Sequence, residues 1–335
     1  MKINALASYQ TGEPVKDYSF DPGKLQDYDC LIKVLACGIC HSDIHMIDND
    51  WGNSRYPLVP GHEVIGEVVE LGSQVKHLKI GDRIGVGWQM SSCLQCPDCL
   101  KGNENLCDEN QGLIVSGYGG FADYVKLDSR FAFPIPKGIE TEVAGPLLCG
   151  GITVYSGLRY AGMSSGQEIG VIGIGGLGHL AVQFASKLGN SVTVFTTSQD
   201  KAEFAHQLGA NHVVVVPRGE SPPPPTRLLN IIISTVPQSL DWKAYIEYLN
   251  SDGTLSIVGG PDAPLTIPLF SILSKRRRVI SSPIGGRGMI LEMLSIADRF
   301  GIKPIIETFP LQQANEAMQK VRDNKVRYRA VLKVS

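Results

Sequence analysis

The chain has 335 residues, long enough for about two domains. Its 31 Lys and Arg nearly balance 33 Asp and Glu, and a formal charge of −2 provides no electrostatic footprint for nucleic acid or an anionic membrane. No run approaches the ~20 apolar residues of a membrane span, and 37 Gly with 20 Pro suit a globular protein rich in tight turns.

The opening Met1-Lys2-Ile3-Asn4-Ala5 is too short an apolar stretch for an export signal. The expectation is therefore a cytoplasmic protein whose eight cysteines are reduced thiols or metal ligands. Short apolar runs follow, Leu31–Leu35 being the clearest, with Asp21-Pro22-Gly23 as a turn signal. Beyond Cys37–His45 and Pro60-Gly61-His62-Glu63, the segments Val64–Leu71 and Ile80–Val86 read as strands. The same Gly-punctuated texture runs to Phe133-Pro134-Ile135-Pro136, so residues 1–149 are predicted to be mainly β.

Within that region stands Cys93-Leu94-Gln95-Cys96-Pro97-Asp98-Cys99, closed by Cys107. Two-residue gaps let successive thiolates turn back onto one cation, and the longer gap lets the fourth complete a tetrahedron at roughly 2.3 Å. A ferredoxin-type cluster closes its run after three residues and is followed by proline; here seven intervene and Asp108 follows. Cys93, Cys96, Cys99 and Cys107 are thus expected to form a closed structural zinc site.

The texture changes at Cys149. Thr153–Tyr160 reads as helix, and short apolar strands then alternate with helical segments. The strands are Ile169–Ile172, Val192–Phe195, Val213–Val216, Ile231–Ser234 and Leu255–Val258; the helices are His179–Leu188, Lys201–Leu208 and Trp242–Leu249. Such alternation predicts a parallel sheet covered on both faces. Between the first strand and its helix lies Gly173-Ile174-Gly175-Gly176-Leu177-Gly178. Its glycines permit a tight turn and backbone approach to a pyrophosphate held at the helix N-terminus.

About twenty residues on, an NAD site places an acid on the ribose 2′-hydroxyl. This chain has Thr196, Thr197, Ser198 and Lys201 there, groups that bind a 2′-phosphate which a carboxylate would repel. The expected cofactor is NADP(H), with Asp200 the one residue against it. The proline run 222–225 is expected to be a stiff exposed loop, and Lys275-Arg276-Arg277-Arg278 a solvated turn rather than a nucleic-acid patch. Helical pattern returns at Met289–Phe300 and Leu311–Arg322, and Arg327–Val334 reads as a closing strand.

Three further candidate ligands, Cys40, His62 and Cys149, lie too far apart for spacing alone to select them. Two thiolates, one imidazole and an open fourth position make a catalytic zinc site. Cys37 and Cys40 could instead form a redox pair, but the β-rich setting is wrong for it. Together Cys37–His45, Tyr56–Gly66, Cys93–Cys107, Gly145–Tyr155, Gly170–Leu180 and Arg327–Lys333 resemble the zinc-dependent medium-chain alcohol dehydrogenases. Within these, the chain is similar to the cinnamyl-alcohol-dehydrogenase-like group, which includes bacterial NADPH-dependent aldehyde reductases.

The resemblance implies an α/β chain with a GroES-like β-barrel catalytic domain (1–149 and 289–335) and a doubly wound Rossmann domain (150–288). It implies two zinc ions per chain: a structural one, and a catalytic one on Cys40, His62 and Cys149. Glu63 would be able to enter the coordination shell and Asp43 would orient His62. Ser42 and His45 would relay protons, His41 and Arg329 would face the pyrophosphate, and Trp51 and Trp88 would line the substrate pocket. The implied activity is reversible hydride transfer between NADP(H) and primary alcohols or aldehydes, chiefly aldehyde reduction over a broad aliphatic and aromatic range, in a homodimer. Two alternatives differ from it: an NAD-dependent polyol or secondary-alcohol dehydrogenase, and a non-enzymatic NADPH-binding zinc scaffold. A basic residue that several relatives carry after the lysine is Ala202 here, which weakens the expected grip on the phosphate.

Overall fold

The computed structural model describes residues 1–260 and 264–334. The chain divides into two units: one comprises Met1–Cys149, Gly285–Asp298 and the segment from Lys303 on, and the other Gly150–Ile284 with Arg299–Ile302.

The first unit is predominantly β. Strands β1 (Ile3–Ala7) and β2 (Lys16–Phe20) form an antiparallel pair. A seven-stranded sheet contains β3 (Asp29–Ile39), β4 (Glu63–Leu71), β5 (Arg83–Val86), β6 (Tyr124–Asp128) and β7 (Phe133–Pro134). The strands Ile306–Pro310 and Arg329–Lys333 complete it, the latter pairing antiparallel with β3. Ile32, Val34, Ile39, Val64, Val68, Ile84, Phe121 and Phe131 supply the core.

The β3–β4 register sets Gly38 opposite Glu63. A Cβ on Gly38 would collide with the Glu63 carboxylate, so only glycine lets that acid lie across the strand.

Directly after β3 comes helix α1 (His41–Asp48), which the sequence did not announce. Cys40 is an unusual N-cap, but Asp43 at the third helical position accepts a hydrogen bond from the Cys40 backbone N–H at 2.8 Å, closing a capping box. Helix α2 (Thr141–Pro146) runs into a π-helical turn, Leu147–Gly151, that carries Cys149 and leads to α3 (Ile152–Tyr160). Such turns often accompany functional sites, because they re-aim a side chain.

The second unit holds a six-stranded, wholly parallel sheet. Its strands are β8 (Glu168–Ile172), β9 (Ser191–Thr196), β10 (His212–Val215), β11 (Leu229–Ser234), β12 (Leu249–Ile257) and β13 (Arg278–Ile280). They lie in the order β10-β9-β8-β11-β12-β13, the doubly wound arrangement. Central strands are buried on both faces, and Ile231-Ile232-Ile233 is accordingly an unbroken apolar run inside the sheet. Connecting helices are α4 (Gly178–Lys187), α5 (Asp200–Gln207) and α6 (Trp242–Glu247).

In the basic run at 275–278, Lys275 and Arg276 lie in an exposed turn as expected, and Arg277 is the exception. Arg277 is buried and donates to the carbonyls of Leu249, Glu247 and Ser271. Burial pulls its pKa below arginine's ordinary value. Arg276 instead pairs with Asp252 at the surface, and Arg278 starts β13. Among the described residues, no helix is long and apolar enough to cross a membrane.

Candidate metal centre and nucleotide site

Ligand atoms of Cys40, His62, Glu63 and Cys149 all lie within 4.8 Å of one another. Cys149 Sγ is 3.8 Å from Cys40 Sγ and 3.3 Å from His62 Nε2. Two sulfurs on a tetrahedral zinc stand about 3.8 Å apart, and a sulfur and an imidazole nitrogen about 3.6 Å. The donors therefore fit the ion.

Each ligand arrives by a different device: Cys40 as the cap of α1, His62 from the turn before β4, Cys149 from the π-helical turn. Asp43 joins the first two. Its fully buried carboxylate accepts from the Cys40 and Gly61 backbone N–H groups, the latter at 2.8 Å, and meets His62 Nδ1 at 3.0 Å. That bond turns His62 Nε2 toward the sulfurs and fixes the tautomer a metal needs.

The protons are arranged accordingly. A hydrogen bond from the Cys149 thiol, with His62 beside it, holds the Cys40 sulfur well below the ordinary thiol range against the cost of burial. Cys149 is pushed up in turn by sharing that bond and by burial. Burial alone would lower His62, but the Asp43 carboxylate outweighs it and raises the ring to about 10. A divalent cation entering this cluster would displace these shared protons.

Glu63 is fully buried, with one oxygen accepting from Arg329 and the other without a hydrogen-bond partner. An unsatisfied carboxylate oxygen beside two sulfurs and a ring nitrogen fits a cation held among them. Arg329 thus engages Glu63, and His41 is exposed at the first position of α1.

Ser42 Oγ lies 3.7 Å from Cys40 Sγ. His45 Nδ1 is 2.7 Å from Asp50 Oδ2, a partner that sequence reasoning missed because it lies five residues away, off the helical face. Trp51 is half-exposed and lies 5.4 Å from His45 and 5.8 Å from Trp88, ring centre to ring centre; Trp88 in turn lies 5.2 Å from His62. These rings form an aromatic wall beside the cluster.

The second cluster is a closed lobe. Cys93 Sγ is 3.9 Å from Cys99 Sγ and 3.5 Å from Cys107 Sγ, far beyond a disulfide bond and close to tetrahedral zinc spacing. Backbone N–H groups of Gln95 and Cys96 lower the Cys93 thiol to about 7. Ser92 Oγ lies 3.4 Å from Cys99 Sγ. Buried Glu104 ties the lobe to its unit: Arg287 Nε donates to it at 2.8 Å, and Gln89 Nε2 donates to its carbonyl at 2.6 Å. Cys30 and Cys37 are buried thiols outside both clusters.

In the second unit, the turn from β8 into α4 is the glycine-rich one. Gly173 adopts φ +85°, and a Cβ on Gly178 would collide with the Gly173 carbonyl. A Cβ on Gly175 would meet nothing within 4 Å, so the backbone there is open on that side, as a phosphate-binding turn requires. His179 is buried and bonds the Gly175 carbonyl through Nδ1 at 2.9 Å; burial lowers it to about 4, so it stays neutral in the helix. Strand β9 ends at buried Thr196, followed by Thr197, Ser198 and exposed Lys201. Asp200 opens α5, four residues past the strand end.

Residues 26–137 match the alcohol dehydrogenase GroES-like domain, and residues 176–299 match the zinc-binding dehydrogenase domain. The chain belongs to the zinc-binding alcohol dehydrogenases. It is 42% identical to the aldehyde reductase AdhA of a Synechocystis species over 98% of both chains. It is 40% identical to a probable mannitol dehydrogenase of Fragaria ananassa, covering 99% of this chain and 95% of that one. CAD from Helicobacter pylori, solved in complex with NADP(H), superposes with a TM-score of 0.91 at 31% identity, covering 99% and 98%. For a zinc-binding dehydrogenase, the two clusters are the expected pair of metal sites, one closed by four sulfurs and one with a mixed donor set.

Proposed function

We propose that the chain reduces aldehydes to primary alcohols with NADPH, with a broad aliphatic and aromatic range. What carries this reading is the mixed cluster of Cys40, His62 and Cys149 within a zinc-binding dehydrogenase chain. Zinc held there would supply a Lewis acid that polarises a carbonyl oxygen, and a nicotinamide would supply the hydride.

The chain's own part is to place and move protons. Ser42, beside Cys40, is the first hydroxyl able to hydrogen-bond an alcohol oxygen at the cluster. His45 follows: its Nδ1 is committed to Asp50, which leaves Nε2 for the exchange. Asp50 then holds the ring in place while Nε2 passes the proton. Asp50→Asn should slow aldehyde reduction about tenfold while leaving zinc content and NADPH binding as in the parent, because His45 Nδ1 loses the carboxylate that orients the ring. Undiminished turnover would sink the relay.

The hydroxyls of Thr196, Thr197 and Ser198 with Lys201 support NADP(H). Trp51 and Trp88 support apolar and aromatic substrates. The name of the Fragaria relative favours a second reading, NAD-linked polyol oxidation. A panel of aliphatic aldehydes, aromatic aldehydes and polyols, run with NADPH and NADH, separates the two. The expected best pair is an aromatic or medium-chain aldehyde with NADPH; preference for a polyol with NAD would overturn it.

We further propose a cytoplasmic homodimer. All eight cysteines are free, as in a reducing compartment. Strand β13 lies at the edge of its sheet, and Leu269, Phe270 and Leu273 expose apolar side chains in the same unit.

A further inference from the structure

We propose that Arg218 supplies the second cation for the adenosine 2′-phosphate, a specificity role that rests on the NADP(H) reading above. Helix α5 cannot furnish it, because Ala202 follows Lys201 and packs inward. The neighbouring strand can.

Strands β9 and β10 run parallel with Thr196 opposite Val215, and Val216 N–H donates to the Thr196 carbonyl at 2.7 Å, so the pairing carries past the strand ends. Ligands of a doubly wound sheet bind at these carboxyl ends. Immediately afterwards Pro217–Glu220 makes a turn, closed by Glu220 N–H to the Pro217 carbonyl at 3.1 Å, with Gly219 at φ +83°. A positive φ at the third residue defines a type II turn and puts Arg218 at its second position. Arg218 therefore stands at the sheet end that carries Thr197, Ser198 and Lys201. It is exposed and, among the described residues, has no hydrogen-bond or ion-pair partner.

The proline run now has a place in the scheme. The loop that begins at this turn is pinned twice: Ser221 Oγ donates to Asp241 Oδ2 at 2.6 Å, and the Tyr248 hydroxyl donates to the Pro223 carbonyl at 2.7 Å. With the fixed φ angles of Pro222 and Pro223, the pins stiffen the segment that directly follows the turn carrying Arg218. A guanidinium suits a phosphate better than a second ammonium would, since its planar fork binds two oxygens at once. Asp200 and Glu220 are the acids nearby in sequence, and the cation must outweigh them.

Calorimetric titration of the full chain with 2′,5′-ADP and with 5′-ADP tests this without catalysis. Arg218→Gln should weaken 2′,5′-ADP about tenfold or more and leave 5′-ADP unchanged; Arg218→Lys should fall between. If Arg218→Gln binds 2′,5′-ADP like the parent while Lys201→Ala loses it, Arg218 is idle and the phosphate reading survives. If the parent does not favour 2′,5′-ADP over 5′-ADP, the phosphate reading itself fails and takes the proposal with it. Equal loss of both nucleotides with a lowered Tm would mark Arg218 as structural and overturn the proposal too.

Discussion

Replacing Cys149 with alanine is expected to lower bound zinc from two ions per chain to one and to cut kcat/KM for aldehyde reduction by roughly three orders of magnitude. The variant removes one sulfur from a cluster whose members share protons and sit at zinc spacing. What remains is Cys40, His62 and the Glu63 carboxylate, whose other oxygen is engaged by Arg329. That carboxylate is a poorer partner than a thiolate for a borderline-soft cation. The four-sulfur lobe shares no ligand with this cluster, so its ion should stay and serve as an internal standard for metal analysis. Retention of two ions with undiminished turnover would remove Cys149 from the site. Loss of both ions would mean that the substitution disrupts the first unit, and Cys149→Ser, which keeps the volume, would then be the comparison.

How far the sequence reaches is clearest at α1. The motif Cys37–His45 announces chemistry, but not the helix that delivers it, because a cysteine N-cap carries no propensity signal and the capping carboxylate of Asp43 doubles as the His62 partner. The four-sulfur lobe was legible in full, since all its ligands lie within fifteen residues and their spacing is itself the geometry. The mixed cluster was legible only through family resemblance, because β3, β4 and the π-helical turn bring its members together from more than a hundred residues apart. Asp50 went unseen for a related reason: whether a residue five positions on meets His45 depends on how the helix ends at Asn49, which takes φ +56°. Arg277 is the clearest misjudgement. A run of four cations reads as solvent-facing until the end of α6, the start of β12 and the helical turn Leu269–Leu273 are seen to leave three carbonyls for one guanidinium to satisfy.

The nucleotide preference should yield to a single substitution at the end of β9. Thr196→Asp is expected to lower kcat/KM with NADPH by roughly a hundredfold or more and to raise it with NADH. Two like charges about 4 Å apart at a protein surface repel by about 4 kcal/mol, before salt screening reduces it. A carboxylate there also gains the ribose hydroxyls of NADH as hydrogen-bond donors. The backbone should tolerate the change, because Thr196 pairs through its main chain with Val215 and Val216, not through its hydroxyl. Its side chain is buried, however, so the new acid has to find those ribose hydroxyls to remain charged. The two cofactors therefore serve as opposite controls on one variant. A fall with both would report only a damaged strand end, whereas a fall with NADPH and a rise with NADH requires that this position face the 2′ substituent. Unchanged NADPH kinetics would remove the Thr196 hydroxyl from the phosphate's surroundings. Lys201 and Arg218 would then have to account for any NADPH preference alone, and raising the salt concentration should erode that preference steeply, because both are exposed.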